Sequence, residues 1–516
     1  MRKLLAILQI FVLMAAMALP TAFAAEAPIM LAGLEAASSS SSTEAQHDWD
    51  TNLFFQTMQE KTGIAFSFTE YVSREAWTEA KTEMLAGEVA MPDMFFKAEL
   101  TPQETLAFYE AGKLIDLRPY LAAYAPHVWA LLEANPEWME AVSLPDGAII
   151  ALPSINELTP NNTMWINKTW LDRLKMGVPT TAEELTEVLR QFHDRDMNQN
   201  GSRNDEIPLS FVSMWDLRFL AHAFGINADD YYLTEQNGKI SEVLTTEENR
   251  AFLMWLHELY TEGLLDSQGF MAMRLVEAAT SSSSYSSSET AKYGVFFGAT
   301  PQDVVGVNLA SEYIALDPLV YNGQQVYRDF TGDLYRGTFA ISSTCAEPEK
   351  LLQWVDYLYT DEGFLAAQVG KEGEDYDWND DGTWAYARTA EEVVAMQGTN
   401  TIWTTSMPSY ASADIQMKMD DDATHALAAE LARVRQWEKR AMPLLYLTQE
   451  QMNRVTELQS GISTYAETRM AWFVAGDVEL NDETWADFCT HVKALGVDEM
   501  VSIWQSAYDN AWHLDK

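Results

Sequence analysis

Apolar side chains alternate with polar ones at Ile64, Phe66 and Phe68, the period-two pattern of a strand with one buried face. Before it, residues 49–63 carry helical spacing and stop at Gly63. After it, a second helix is predicted over about 73–86 and closes at Gly87, where glycine relieves a left-handed cap. Pro28–Leu34 reads as an earlier strand and Pro92–Phe96 as a later one. Strand, helix, strand, helix, strand is the order that predicts a parallel α/β sheet. Two serine-rich stretches, Ser38–Ser42 and Thr280–Thr290, are predicted as solvated loops, the second leading into an apolar strand at Tyr293–Phe297.

Farther along, Thr181 and Glu184 have capping-box spacing. Leu185, Val188, Leu189 and Phe192 follow on one face, so a helix is predicted over 181–193. Leu351, Trp354, Val355 and Leu358 define another after Pro348. Trp485, Phe488, Val492 and Leu495 place a third in a mostly helical final hundred residues. No internal repeat is visible. A chain of 516 residues exceeds what one core ordinarily holds, so two or more lobes are expected.

The first residues are of a different kind. Arg2 and Lys3 precede an apolar run, and Ala22-Phe23-Ala24 supplies a small-x-small cleavage pattern, so residues 1–24 read as a secretory signal peptide. Export of a soluble protein follows. Asp and Glu total 77 against 33 Lys and Arg, a formal charge of −44, which argues against nucleic acid and anionic membrane as partners. Large cores account for most of the 17 Trp, 21 Tyr and 22 Phe, but such a surplus also suits flat amphipathic ligands such as sugar rings. Cys345 and Cys489 are too few for a disulfide framework and read as unpaired buried thiols.

Chemical motifs are sparse. No two of the eight histidines have zinc-site spacing, and there is no HExxH, no GxSxG elbow and no GxxxxGK[ST] phosphate loop. Chance carboxylate pairs are guaranteed by 77 acids and carry no information. One loop stands out. Asp196, Asn198 and Asn200 alternate, Gly201 follows, and the Ser202 carbonyl, Asn204, Asp205 and Glu206 complete a set of hard oxygen donors suited to calcium. Position 12 of an EF-hand count is Ile207 rather than glutamate, and Ile207-Pro208-Leu209 leaves the loop extended. The expectation is a structural calcium rivet and not a sensor; a self-bonded Asx turn is the alternative. The similar Asp377–Gly382 stretch reads as a hairpin tip.

The order of several short segments resembles one family. Pro92-Asp93 follows the alternating opening, then come Leu114–Leu117, Pro145–Gly147 leading into Ala151–Pro153, Trp165–Leu171 and Pro179–Thr181. Gly337–Ser343, Cys345, Pro348-Glu349 and Leu358–Gly363 continue the series. Together they resemble the extracellular solute-binding proteins of carbohydrate ABC importers, family 1, in its larger oligosaccharide-type members. The Asp196 loop is similar to a calcium loop many of these carry, here one residue longer.

The resemblance implies an α/β fold of the two-lobe periplasmic-binding-protein type II, each lobe a mainly parallel sheet flanked by helices, with a helix-rich C-terminal region. The lobes would hold 26–152 plus 301–345 and 153–300 plus 346–516. A carbohydrate would sit between them, against Phe95, Trp165, Trp215, Phe297, Tyr335, Arg336 and Trp403, and would pass to ABC permease subunits without turnover. Core packing is the competing reading for each of these residues. A monomer is expected, periplasmic or extracellular. With no cysteine before 345 there is no lipobox, so no lipid anchor is expected. A carbohydrate-active hydrolase and a sugar-sensing receptor domain of the same fold are the alternatives.

Overall fold

The computed structural model describes residues 29–36, 49–71, 74–269, 290–329, 332–396, 399–402 and 406–513. The signal sequence, Ser38–Ser42 and Trp403 lie outside them, as does nearly all of Thr280–Thr290.

The opening forms as its periodicity predicts. Strand β1 (Ile29–Ala36) pairs in parallel with β2 (Ile64–Tyr71) along its whole length, and with β3 (Met94–Phe96) beyond it. Between β1 and β2, Asn52 caps the helix Leu53–Thr62 through its side chain, and Gly63 ends it at φ 72°. The helix Arg74–Ala86 leads towards β3. Strand β4 (Ala151–Asn156) then ends the first pass through this sheet.

The chain next builds a second body from β5 (Thr163–Asn167), β6 (Ile207–Leu209), the hairpin β7 (Leu233–Gln236) and β8 (Lys239–Glu242), β9 (Tyr293–Gly298) and β10 (Tyr313–Ala315). It returns through β11 (Tyr327–Arg328) to β12 (Leu334–Ile341), the hairpin β13 (Tyr376–Trp378) and β14 (Trp384–Tyr386), and β15 (Tyr410–Ala411). It then leaves again through β16 (Glu438–Lys439) for the helices Gln449–Ala475, Asp482–Ala494 and Val497–Asn510. The expected hairpin at Asp377–Gly382 is the β13–β14 turn.

The first sheet has the order β15-β4-β12-β3-β1-β2, with β12 alone running against its neighbours. The second, β10-β5-β9-β6, departs from the mainly parallel order expected: only β6 and β9 run parallel. Returning strands supply its other pairings, so crossover helices do not separate them.

Each sheet owns its core. On one face of the first sheet Phe55 stacks on Trp354 with centroids 6.1 Å apart and Phe96 meets the same indole edge-on. On the other face Phe95 packs against Trp77 and Phe108. The second core joins Trp165, Trp170 and Phe192 to Val455, Phe488 and Met500 of the last helices. These cores redraw the expected boundaries. Val304, Leu309, Tyr313 and Tyr327 belong to the second core, whereas Leu351, Trp354 and Ile402 belong to the first. Residues 301–327 therefore pack in the second lobe, and most of 346–415 in the first. Helix periodicity says that a face is buried; it does not say in which body.

Cys345 and Cys489 are free, half-buried rather than buried, and packed against different cores. The helix Ala182–His193 is capped by the Thr181 hydroxyl, but the Glu184 carboxylate accepts from the Thr180 amide and hydroxyl rather than completing the capping box at Thr181. Among the described residues no helix is long and apolar enough to cross a membrane.

His222 reports on the seam of the second lobe. Its Nδ1 donates to the Phe219 carbonyl at 2.8 Å, and its Nε2 accepts the Leu319 amide at 2.7 Å, which requires the neutral ring. Burial lowers its pKa from 6.5 to about 4. A base whose folded pKa is lowered contributes stability above its unfolded pKa and loses it as pH falls through the folded one. Between pH 6.5 and 4, urea denaturation of wild type should lose roughly 3 kcal/mol relative to His222→Asn, at 1.36 kcal/mol per pH unit. Parallel pH profiles for the two proteins would remove this role from His222.

Candidate ligand-binding cleft

The topology decides which edges of the two sheets meet. β4 runs out of the first sheet into residues 157–162 and then β5, and β12 re-enters the same edge from 316–333. The C-terminal ends of β1, β2 and β3 share that edge, because they run parallel to β4. On the second sheet the start of β5 and the ends of β6 and β9 lie together. In open sheets, ligands bind outside the carboxyl ends of parallel strands.

The crossings are tied to one another. Asn161, 2% exposed, donates from Nδ2 to the Arg328 carbonyl at 2.7 Å and to Glu438 Oε1 at 3.1 Å. β11 and β16 pair over two residues, Arg435 meets Asp333 at 3.3 Å, and Arg440 meets Asp329 at 3.6 Å. Burial pushes the Glu438 carboxyl up to about 7, opposed by the Asn161 bond and Arg435 and helped by Asp329 and Asp333.

On the first lobe's edge, Lys97 (φ 53°) and Glu99 (φ 48°) both hold left-handed backbone, which a side chain disfavours. The loop is held from both sides. The amides of Ala98 and Leu100 donate to the carbonyls of Thr338 and Gly337, and Trp77 Nε1 donates to the Ala98 carbonyl at 2.7 Å. Gly337 makes this approach feasible: at φ 76°, a Cβ there would lie 2.0 Å from the Leu100 oxygen. The register slip of β12 against β4 falls between Tyr335 and Phe339, around the same glycine. The Lys97 ammonium stands 4.7 Å over the Trp49 ring, and Arg74 pairs with Glu99 at 3.2 Å. Tyr335 is 47% exposed within the field of that pair.

On the second lobe's edge, the segment after β6 places Trp215 half-buried, edge-on to Phe219 at 5.0 Å. Its Nε1 donates to Asp230 Oδ1 at 2.9 Å, an oxygen that also accepts from Arg328 at 2.5 Å. Asp216 accepts from the Val212 amide at 2.7 Å and from Asn162 at 3.0 Å; burial raises its pKa. Burial also pushes Asp229 up to about 6 against two backbone donors, Tyr231 and Leu233. The result is an indole face with carboxylate acceptors and amide donors at one rim, which suits a polyhydroxylated ligand.

Of the residues expected at the cleft, the structure brings Trp215 and Tyr335 to these facing edges. Phe95, Trp165 and Phe297 are not cleft residues; each is 3% exposed or less and packs in a core, because both faces of its strand are covered. Arg336 is half-buried and aims Nη1 at the Leu445 carbonyl at 3.2 Å, with its guanidinium 4.8 Å from the Tyr446 ring centroid. That is the opposite side of β12 from Tyr335. There, a hollow of about 420 Å³ lies behind the crossings, lined by Trp138, Ala141, Leu334, Glu438, Tyr446 and Trp512 among others. Lys97, Glu99, Tyr335 and Trp215 do not line it. Sequence reading missed Lys97, Glu99, Asp216, Asp230, Arg328 and Asn161. Only the Asn161-Asn162 pair after Pro160, between two strands, offered a signal.

The Asp196 loop folds on itself. Asp196 accepts from the amides of Asn200 and Gly201, Asn200 Oδ1 from Ser202, and Glu206 Oε1 from Met197 and Asn198. The side-chain amides of Asn198 and Asn200 donate to Asp205 Oδ2. Among the described residues no three His, Cys, Asp or Glu side chains converge at metal-holding distances. Yet Asp205 Oδ1 and Glu206 Oε2 are buried with no hydrogen-bond donor. Orphaned carboxylate oxygens in a ring of Asx oxygens fit a hard cation.

No family model matches the sequence. The fructooligosaccharide ABC transporter substrate-binding protein FusA of Streptococcus pneumoniae serotype 4 is 23% identical over 509 residues, 91% of this chain and 89% of that protein. Among solved structures, an extracellular solute-binding protein from Bifidobacterium longum subsp. infantis superposes at a TM-score of 0.74 and 21% identity, covering 94% of this chain and 98% of that one. FusA in complex with kestose gives 0.65 at 21%, covering 93% and 99%. Its EF-hand mutant in complex with fructo-nystose gives 0.65 at 22% with the same coverage. The chain has the α/β fold of extracellular solute-binding proteins.

Gly337→Ala should lower stability by more than about 2 kcal/mol, since both its φ and its contact with the Leu100 oxygen are incompatible with a methyl group. Chemical denaturation measures it; a loss below 0.5 kcal/mol would mean that the loop adjusts freely.

Proposed function

We propose that this chain is an exported solute-binding protein that captures an oligosaccharide between its two lobes and delivers it to an ABC permease, with no bond made or broken. The observation that carries the reading is likeness to FusA along nine-tenths of both chains. The site supports it chemically. Trp215 and Tyr335 offer aromatic faces from opposite lobes, and Asp230, Asp216 and Glu99 are acceptors already oriented by their own donors. Stacking on sugar C–H faces and hydrogen bonds to hydroxyls need nothing more.

A hydrolase would need a carboxylic acid free to give up a proton beside a second carboxylate. At this rim Glu99 is paired with Arg74, Asp230 with Arg328, and the raised Asp229 is occupied by two backbone amides. That favours binding over turnover. A sensory role would share the fold, and transport reconstituted with a permease separates the two. We place the protein outside the cytoplasm after cleavage near Ala24, as a soluble monomer.

The same reading includes a structural calcium ion in the Asp196 loop, held by Asp196, Asn198, Asn200, the Ser202 carbonyl, Asn204, Asp205 and Glu206. Such an ion would supply a positive charge for the two orphaned oxygens, Asp205 Oδ1 and Glu206 Oε2. It would also tie the end of the helix Ala182–His193 to β6. An EF-hand has been mutated in FusA, whose likeness over nine-tenths of both chains supports the assignment.

A glycan panel scored by thermal shift tests the function. One carbohydrate class should raise the melting temperature, since a hundredfold excess over Kd stabilises by about 2.7 kcal/mol. Trp215→Ala and Tyr335→Ala should each weaken that binding about tenfold with little change in the unliganded melt. Product accumulating in proportion to protein would reject the transport reading.

For the metal, EDTA should lower the wild-type melting temperature and calcium should restore it. Asp205→Asn and Glu206→Gln should abolish the response while leaving the glycan profile alone. Insensitivity of wild type to chelation would end the calcium assignment.

A further inference from the structure

The segment that leaves the last helix crosses between the lobes. Helix Val497–Asn510 belongs to the second core through Val497, Met500, Trp504 and Ala507. After Asn510 the backbone turns extended, and Trp512 lands on the first lobe, packed against its core. The Arg118 guanidinium sits 4.5 Å from the Trp512 ring, and Arg118 is itself anchored on the Ser143 hydroxyl at 2.6 Å. The indole lies directly on the turn at Gly147, where a Cβ would meet Trp512 Nε1 at 3.0 Å. His513 Nδ1 stands 3.5 Å from Glu140 of the same lobe.

This contact lies behind the crossings. Trp512 lines the hollow together with Leu334 and Ala141. Arg336, two residues after Leu334, reaches the same side through the Ala141 and Leu445 carbonyls and Tyr446. Tyr335, between them, faces Glu99 and Arg74. Alternation along β12 therefore separates the hollow from the rim of the cleft.

The geometry points to Ala511–His513 as a non-covalent strap that holds the backs of the two lobes together and so keeps the cleft open. Two bodies turning about the crossings cannot close at the front without parting at the back. Closure has to strip Trp512 from Arg118 and Gly147, or strain the segment that carries it. The strap therefore subtracts from apparent sugar affinity, in the way that any bias toward a binding-incompetent state does. The inference rests on the reading of two lobes that close on a sugar.

Two measurements on full-length protein test it. Cys345 and Cys489 are replaced by serine, and spin labels on Glu79→Cys and Glu248→Cys, exposed positions on different lobes, report the interlobe distance. Without sugar, Trp512→Ala should displace the distance distribution toward the one that bound sugar produces in wild type. Trp512→Phe, which keeps a ring over Arg118, should stay near wild type. With kestose as the probe, Trp512→Ala should bind about threefold to tenfold tighter. A Trp512→Ala distribution superimposable on wild type, or affinity unchanged or weaker, overturns the strap. If wild type binds no sugar of the panel, the functional reading fails, and the strap is decided separately: a sugar-free distribution that shifts or broadens in Trp512→Ala but not in Trp512→Phe supports it, and no change in either overturns it.

Discussion

A chain that places β4 and β12 side by side, with 177 residues of a second body between them, must leave and re-enter one sheet at the same edge. The polar atoms of those crossings cannot all reach water, so they have to satisfy one another. Asn161 links the three segments: a single buried amide donates to the Arg328 carbonyl on the returning segment and to Glu438 on the last outgoing one. β11 and β16 add a two-residue ladder beside it. The crossings thus behave as one stapled unit, and each lobe can keep a dry aromatic core of its own.

What lies on either side of that unit differs in kind. At the front rim the backbone is unusual at Lys97 and Glu99, and the side chains are amphipathic or charged. Behind, Met442, Leu445 and Leu447 belong to the second core while Leu444 and Tyr446 pack on the first, so one short segment is shared residue by residue between the lobes. A seam of that kind packs against both bodies at once. The formal charge of −44 is carried mostly by exposed acids and bears on solubility rather than on the cleft, whose carboxylates each have a partner.

The local architecture was legible to the extent that it depends on nearest neighbours. Ile64, Phe66 and Phe68 sit on a strand, Gly63 caps the helix before it, and Pro208 keeps the exit of the Asp196 loop extended. Lobe membership was not legible: Trp354 and Phe192 lie on helices with equally clear apolar faces and yet enter different cores. The aromatic residues show the same limit more sharply. Phe95, Trp165 and Phe297 lie on strands covered on both faces, whereas Trp215 and Tyr335 stand where the chain has left regular pairing or slipped its register. Composition counts aromatic rings but does not say which way they face.

The sequence by itself determined most elements, the glycine that ends the first helix and the order of short segments that resembles carbohydrate-binding relatives, because each segment depends on residues a few positions apart. Only the tertiary structure decided which edges face one another, that Glu99 lies beside Arg74 and Trp215 beside Asp230, and that Trp512 reaches the opposite lobe. Those contacts join residues far apart along the chain, and their existence depends on where three crossings place two separately packed bodies. No local preference encodes such a placement; it emerges when both cores close at once and the buried amides between them find acceptors.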